Sequence, residues 1–434
     1  MQDRSRHLNN KRIFIFWLPL AATWLMMSVE GPFLAALIAR LAEPKYNLAA
    51  YGVAFSFALI IEAPIIMIMS ASTKLVKDAQ SFIILRRFTY GLNWLITLIM
   101  IVILIPPIFY FLTEDLIGLP SKVPNLTHVA TIILLPWPGA IGYRRFYQGI
   151  LIRNNLTKRV AYGTIIRITT MALTALLMYL LTDVDGVVVG ATSISAAVLL
   201  EAVASRLMAN GIIKRILKQH ADDNDVLTYK EIYKFYYPLA LTSILGLGVQ
   251  PVVTFFMGQS RMAIESLAVL PVVTSFVFIF RALGLSYQEV VIALMGDEKR
   301  NFIPLRNFAF SLGTALTIIL ALVAFTPLSD IWFSVVSGLS NDLADFARLP
   351  LMIMAVLPLL TVLISLQRAA LVSNKTTHPI TIGTAIEFIT IVLVLFVAIN
   401  YAGMVGAVAA TSAFVIGRIA ANIYLTPPVI KAIK

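Results

Sequence analysis

Ten ionisable side chains fall inside apolar runs long enough to cross a membrane. The acids are Glu30, Glu62, Glu201, Glu289 and Glu387; the bases are Arg144, Arg145, Arg167, Arg281 and Arg418. An ion at mid-membrane depth costs roughly 3 kcal/mol or more, so each of these needs a partner or a water-filled cavity. Glu30 precedes Gly31-Pro32, where a helix break would free carbonyls beside a carboxylate. Such a group suits proton exchange or cation binding, or it stands as a structural glutamate paired with a neighbour. Glu62 stands just before Pro64, and its counterpart in the second half of the chain is Arg281. A carboxylate facing a guanidinium makes a pair that can open and close; the alternative is that each finds partners within its own half. Arg167 and Glu387 occupy matching positions in the two halves and form a second set for coupling or gating, with snorkelling as the plainer use of Arg167.

Arg144, Arg145, Tyr147 and Gln148 sit close together, and Gln367 and Arg368 are the second-half counterparts of Tyr147 and Gln148. A guanidinium binds carboxylate or phosphate through two parallel donors, so this polar mouth suits an anionic substrate. Positive-inside anchoring is the competing use of these arginines. Gln250, next to Pro251, is the neutral counterpart of Gly31 and a candidate substrate contact. Glu201, Glu289 and Arg418 read as interfacial or packing partners.

These residues must be positioned by membrane helices. Of 434 residues, 59% are apolar and only 13% charged, a balance that fits a polytopic membrane protein. A span needs about 20 apolar residues. Twelve are expected, roughly 13–39, 48–73, 88–112, 127–152, 160–182, 186–208, 233–258, 266–294, 304–327, 347–372, 379–400 and 403–426. Prolines inside them (Pro32, Pro64, Pro106, Pro107, Pro136, Pro138, Pro251, Pro271 and Pro358) predict kinks or breaks.

Lysine and arginine set the orientation. With the N-terminus cytoplasmic, the loops on that side carry 24 of the 34 and the opposite loops five. In that count Arg4, Arg6, Lys299, Arg300, Arg368 and Lys375 belong to cytoplasmic segments. Both termini are therefore expected inside, in the plasma or inner membrane. The net charge of +12 follows from this asymmetry, so no nucleic-acid partner is expected.

The polar stretch around Lys214, His220, Asp222, Asp223 and Asp225 divides the chain. The expected plan is an N-terminal six-helix lobe over 1–215, a cytoplasmic linker over 216–232 and a C-terminal lobe over 233–434. Six spans per half makes the halves parallel repeats. At a near-constant offset along the chain, Pro19 matches Pro238, Pro32 matches Pro251, and Ser56-Phe57 matches Ser275-Phe276. Pro107 matches Pro327, Gly118-Leu119 matches Gly338-Leu339, Pro138 matches Pro358, Asn154 and Thr157 match Asn374 and Thr377, and Gly163-Thr164 matches Gly383-Thr384.

The chain has no cysteine, and its four histidines are scattered. HExxH, GxSxG and Walker A patterns are absent. Neither disulfides nor a catalytic site are expected, so the chain is read as no enzyme and without a cofactor.

The two-lobe plan resembles the multidrug/oligosaccharidyl-lipid/polysaccharide (MOP) exporter superfamily, which includes the multidrug and toxic compound extrusion (MATE) transporters and the lipid-linked sugar flippases. The resemblance rests on Leu18-Pro19-Leu20-Ala21, the stretch from Leu48 to Ser56, Tyr237-Pro238-Leu239-Ala240-Leu241, Glu265-Ser266-Leu267-Ala268-Val269 and the turn from Gly403 to Ser412. Leu48 to Ser56, Tyr236 to Leu241 and Gln250-Pro251-Val252-Val253 also resemble the progressive ankylosis branch. Its members are linked to export of small anions such as pyrophosphate, citrate or nucleotides. The resemblance implies a V-shaped, MATE-like pair of bundles and ion- or proton-coupled alternating access.

The expected protein is an all-α polytopic membrane protein, a monomer surrounded by lipid. It exports a small organic solute, anionic in the favoured case, coupled to H+ or Na+. A flippase for lipid-linked sugars and a non-transporting membrane scaffold are the alternatives.

Overall fold

The computed structural model describes residues 8–120, 122–154, 156–219, 227–295, 301–374, 376 and 378–433. Expectations resting on Arg4, Arg6, His220, the 220–226 part of the linker, Lys299, Arg300, Lys375 and Thr377 lie outside the described residues.

Several prolines mark where the helices stop, whereas Pro19, Pro238, Pro271 and Pro350 lie inside continuous helices, so the break expected at Pro271 does not form. The first span is α1 (Asn10–Ser28) followed closely by α2 (Glu30–Ile38). A proline ring clashes with the carbonyl one helical turn back, which for Pro32 is that of Ser28, where α1 ends. The second span is α3 (Pro44–Glu62) and α4 (Ile68–Leu75), separated by turns at 63–67 around Pro64. Next come α5 (Ala79–Ile103), the short α6 (Pro106–Tyr110), α7 (Val123–Ile133) and α8 (Trp137–Arg153), then α9 (Thr157–Leu181) and α10 (Gly186–Ile216).

The second half repeats this order. Helix α11 (Tyr229–Leu247) ends one turn before Pro251, and α12 (Val249–Gly258) resumes after Gly248. There follow α13 (Ala263–Leu285), α14 (Tyr287–Met295), α15 (Phe302–Ala324), α16 (Leu328–Asp330), α17 (Asn341–Met354), α18 (Leu357–Ser373), α19 (His378–Asn400) and α20 (Gly406–Ile433).

Eleven helices among the described residues are long and apolar enough to cross a membrane. The remaining expected span, 48–73, is present as α3 and α4, divided by its proline break. The protein is an integral, multi-pass membrane protein of all-α class.

The repeat extends to unusual backbone. Phe111–Leu116 and Ile331–Val336 are both π-helical. Each leads into a glycine of positive φ, Gly118 at 76° and Gly338 at 72°. The next amide turns back to the same place in each half: Leu119 N–H donates to Thr113 O, and Leu339 N–H to Phe333 O, both at 2.9 Å. The helices that follow are also held alike. Asn47 Oδ1 accepts from Val187 N–H at 2.9 Å, and Ser266 Oγ accepts from Ala407 N–H at 3.0 Å. These bonds satisfy amides that the first turns of α10 and α20 leave without intrahelical partners. Asn154 and Asn374 close α8 and α18 with matching side-chain bonds of 2.9 Å to Ile150 O and Ala370 O.

Packing divides the chain into two compact units, Leu37–Gln259 and Met1–Ala36 with Ser260–Lys434. Each holds six spans, but the first and seventh are exchanged relative to the sequence halves. The reason lies in side chains. Trp17 on α1 donates its indole N–H to Ser286 Oγ at 2.9 Å, beside α14. Ile13, Trp17 and Ala21 share a buried apolar cluster with Tyr287, Val290 and Phe308. On the seventh span, Tyr236 donates to Pro64 O at 2.6 Å, the carbonyl of the proline break in the second span. Thr254 and Ser56 hydroxyls bond at 2.9 Å.

Within the Leu37–Gln259 unit, α8 packs against α4, α5 and α10, and α10 against α9. In the other unit, α18 packs against α14, α15 and α20, and α20 against α19. Helices α5 and α9, like α15 and α19, present exposed Trp94, Leu98, Leu173, Leu177, Ile319, Leu322, Leu393 and Phe396. Large apolar side chains in this density on an outer surface suit contact with lipid.

Candidate functional site

Each unit encloses a cluster of charged side chains on equivalent helices. In the Leu37–Gln259 unit the centre is Glu201 on α10, 1% exposed. Arg144 on α8 donates to its Oε2, and Gln148, one turn further, donates to Oε1 at 3.0 Å. Arg167 on α9 brings its Nε within 3.6 Å of the same carboxylate. Arg145 points elsewhere on α8 and reaches Met69 Sδ at 3.9 Å. Glu62 is 4% exposed and accepts one hydrogen bond, from Trp137 Nε1 at 2.6 Å. Tyr147 shares a 2.8 Å hydroxyl bond with Tyr90, while the Arg206 guanidinium lies 5.1 Å from its ring centroid.

In the other unit the ion pair has reversed polarity. Arg418 on α20 donates from Nε to Glu387 on α19 at 2.8 Å. Arg281 on α13 donates to Thr361 Oγ1 on α18 at 3.3 Å, and Arg368 on α18 donates to Thr384 Oγ1 on α19 at 3.3 Å. Gln367 bonds to Asn422 O and Thr426 Oγ1. Arg368 belongs to no loop: it lies inside α18 (Leu357–Ser373) with its side chain turned into the helix cluster.

The residues singled out from sequence separate into groups. Arg144, Gln148 and Arg167 meet at Glu201. Glu387 pairs with Arg418, and Arg368 bonds the residue one turn before Glu387 on the same helix. Glu62 and Arg281 each bond within their own unit. Glu30 is half-buried in the first turn of α2. Gln250 is half-buried on α12 and has no side-chain hydrogen bond among the described residues.

Glu201 and Arg418, read from sequence as interfacial or packing partners, are the ion-pair partners of Arg144 and Glu387 between helices. Glu289, read the same way, is exposed. A signal for the first two exists. Arg167 stands about as far before the end of α9 at Leu181 as Glu201 stands after the start of α10 at Gly186. Glu387 and Arg418 are related in the same way across the connection from Asn400 to Gly406. Consecutive antiparallel helices place residues equally far from their connection at equal depth, so opposite charges there are natural partners.

Arginines, one buried and the rest partly buried, exceed carboxylates in both clusters. Arg144, Arg145 and Arg167 face Glu62 and Glu201; Arg281, Arg368 and Arg418 face Glu387. Among the described residues, Arg145, Arg281 and Arg368 have no carboxylate within 4.0 Å. The Nε atoms of Arg145 and Arg368 are buried without a hydrogen-bond acceptor. Leaving guanidinium donors dry and unpaired is costly. The planar N–H fork of a guanidinium matches the oxygens of a carboxylate or phosphate.

No family model and no curated protein matches the sequence. Solved structures do. An inward-facing multidrug resistance MATE family transporter of the MOP superfamily is similar at TM-score 0.75 and 16% identity, over 96% of this chain and 98% of that one. The lipid II flippase MurJ, in an inward closed conformation, is similar at TM-score 0.70 and 16% identity, over 96% and 89% of the two chains. The Vibrio cholerae MATE transporter VcmN, in its bent form, gives TM-score 0.55 and 12% identity, over 98% of each. With the duplicated six-span plan, these likenesses establish that the chain has the fold of the MATE transporters of the MOP superfamily.

Proposed function

We propose that this protein is a secondary transporter that moves a small organic anion across its membrane by alternating access, driven by a proton or sodium gradient. The observation that carries this reading is the surplus of partly buried guanidinium groups within the helix clusters, three of them without a carboxylate partner among the described residues. A dry scaffold would gain nothing from such groups and bear their full burial cost. The likeness to MATE transporters supports transport as the general activity, and the basic clusters support an anion as cargo. In this reading the protein is a monomer in lipid, needs no cofactor beyond the coupling ion, and has both termini in the cytoplasm.

Glu62 is the favoured coupling group. Its carboxyl has one neutral donor, Trp137, and no arginine within 4.0 Å among the described residues. A proton there favours one arrangement of the protein over another only if the two arrangements hold it with different affinity, the condition coupling requires. Glu30 is the second candidate, beside the α1–α2 break.

Reconstitution in proteoliposomes tests the cargo. Pyrophosphate, citrate and nucleotides are offered with and without a proton gradient, beside organic cations. Gradient-stimulated anion flux supports the reading; flux confined to cations contradicts it. The likeness to MurJ supports a second reading, movement of an anionic lipid-linked sugar. Scrambling of a polyprenyl pyrophosphate lipid without flux of soluble anions would favour that one.

A further inference from the structure

Duplication makes the two clusters directly comparable, and their polar groups differ at several positions, two of which add arginines to the second. Arg281 stands where the other unit has Glu62, and Arg368 where it has Gln148. With the other differences between the halves, the result is a cluster with two cations beyond its single carboxylate, where the first unit has one in excess. We infer that the unit containing Ser260–Lys434 holds a binding site for a ligand with two adjacent negative charges, and that Arg281 and Arg368 are its anion-binding residues. This deepens the anion reading above and rests on it for the site's role in transport.

Helix geometry gathers the parts. Thr361, Ser365 and Arg368 occupy positions i, i+4 and i+7 of α18 and so share one face. Arg281 reaches that face from α13 through Thr361, while Thr384 and Glu387, one turn apart on α19, receive Arg368 and Arg418 respectively. Arg281 and Arg368 both lie within electrostatic reach of the Arg418–Glu387 pair.

That pair accounts for one positive and one negative charge. Arg281 and Arg368 remain, each making a single 3.3 Å bond, to a neutral hydroxyl, among the described residues. A guanidinium has five N–H donors, so most of theirs are unused. Ser365 Oγ, between Thr361 and Arg368 on α18, is also buried without a partner among the described residues. The unmet groups are thus two cationic forks and a hydroxyl, the complement of neighbouring phosphoryl or carboxylate groups. Inorganic pyrophosphate, a phosphate monoester or a short dicarboxylate has this chemistry. A monocarboxylate would leave one cation unpaired.

The test reads binding by the full-length protein in detergent, by calorimetry and by thermal unfolding at constant ionic strength. The probes are pyrophosphate, succinate and acetate. Pyrophosphate and succinate are expected to raise the melting temperature and acetate to leave it unchanged. Arg281→Gln and Arg368→Gln are each expected to weaken pyrophosphate binding tenfold or more. Arg348→Gln, which removes a charge from another part of the same unit, should weaken it less than twofold. If the Gln variants aggregate, Arg281→Lys and Arg368→Lys keep the charge but lose the fork and should bind with intermediate affinity. Phosphatidic acid in nanodiscs carries the same headgroup chemistry. A response to soluble pyrophosphate assigns the site to a free anion, and a response to the lipid alone assigns it to a headgroup. Equal stabilisation by acetate and pyrophosphate overturns the inference, as does undiminished binding in the arginine variants. Binding without anion flux in proteoliposomes would refute only the transport reading.

Discussion

Arg144 on α8 donates to the Glu201 carboxylate on α10, and neither residue is more than 5% exposed. Gln148 completes the carboxylate's coordination from the same face of α8. Removing one member of a buried pair strands the other. Glu201→Ala should cost about 3–5 kcal/mol, seen as an early melt in detergent. Pairing it with Arg144→Met should recover part of that loss, giving a favourable coupling energy in a double-mutant cycle. Additive losses would mean that the pair contributes no mutual stabilisation.

Glu62→Gln preserves an oxygen acceptor for Trp137 while removing the group that can ionise. The variant should fold and keep a melting temperature close to the parent's. Gradient-driven flux in proteoliposomes should fall at least tenfold, with exchange of anion for anion retained. Full gradient dependence in the variant assigns coupling to another residue.

Gly31 fits the close approach of α2 to α13. A Cβ there would come within 2.9 Å of Ser275 Cβ, tighter than packed side chains allow. Gly31→Val should destabilise by about 1–3 kcal/mol through overpacking, and Ser275→Gly in the same chain should restore part of it. Thermal unfolding of the three variants decides the matter. No rescue would place the strain elsewhere.

Gly118 and Gly338 hold φ of 76° and 72° after their π-helical stretches. Alanine at either position enters the left-handed region at a cost of about 1–2 kcal/mol. The two single variants should lose similar stability in denaturant titrations. A loss at one glycine alone would show that the repeat's structural equivalence carries no equal energetic role.

Much of this organisation is legible in the chain. Pro32 and Pro251 mark the breaks because a ring at i removes the helix bond to i−4, and both helices end at that residue. Gly118 and Gly338 recur because their backbone conformation admits little else. The exchange of the first and seventh spans was not legible. It depends on Trp17 meeting Ser286 and Tyr236 meeting Pro64, contacts between positions far apart in the chain that no local periodicity reports. The charged site was half legible. Arg144, Arg167 and Glu387 stand out as ions in apolar runs, but Glu201 and Arg418 become their partners only when consecutive helices are aligned by depth. Arg368 was legible as the counterpart of Gln148, although its proximity to a loop hid its place inside α18.

Water must reach the basic cluster from each side of the membrane in turn if these residues carry an anion. The absence of natural cysteine allows a single-cysteine test at Thr384, the partner of Arg368. In oriented vesicles, Thr384→Cys is treated with a membrane-impermeant thiol reagent from one side and then the other, with and without the driving gradient. The expected result is labelling whose preferred side switches with the gradient and which pyrophosphate slows. A cysteine unreactive from both sides under every condition, in a folded protein, would contradict a water-accessible anion path through this cluster.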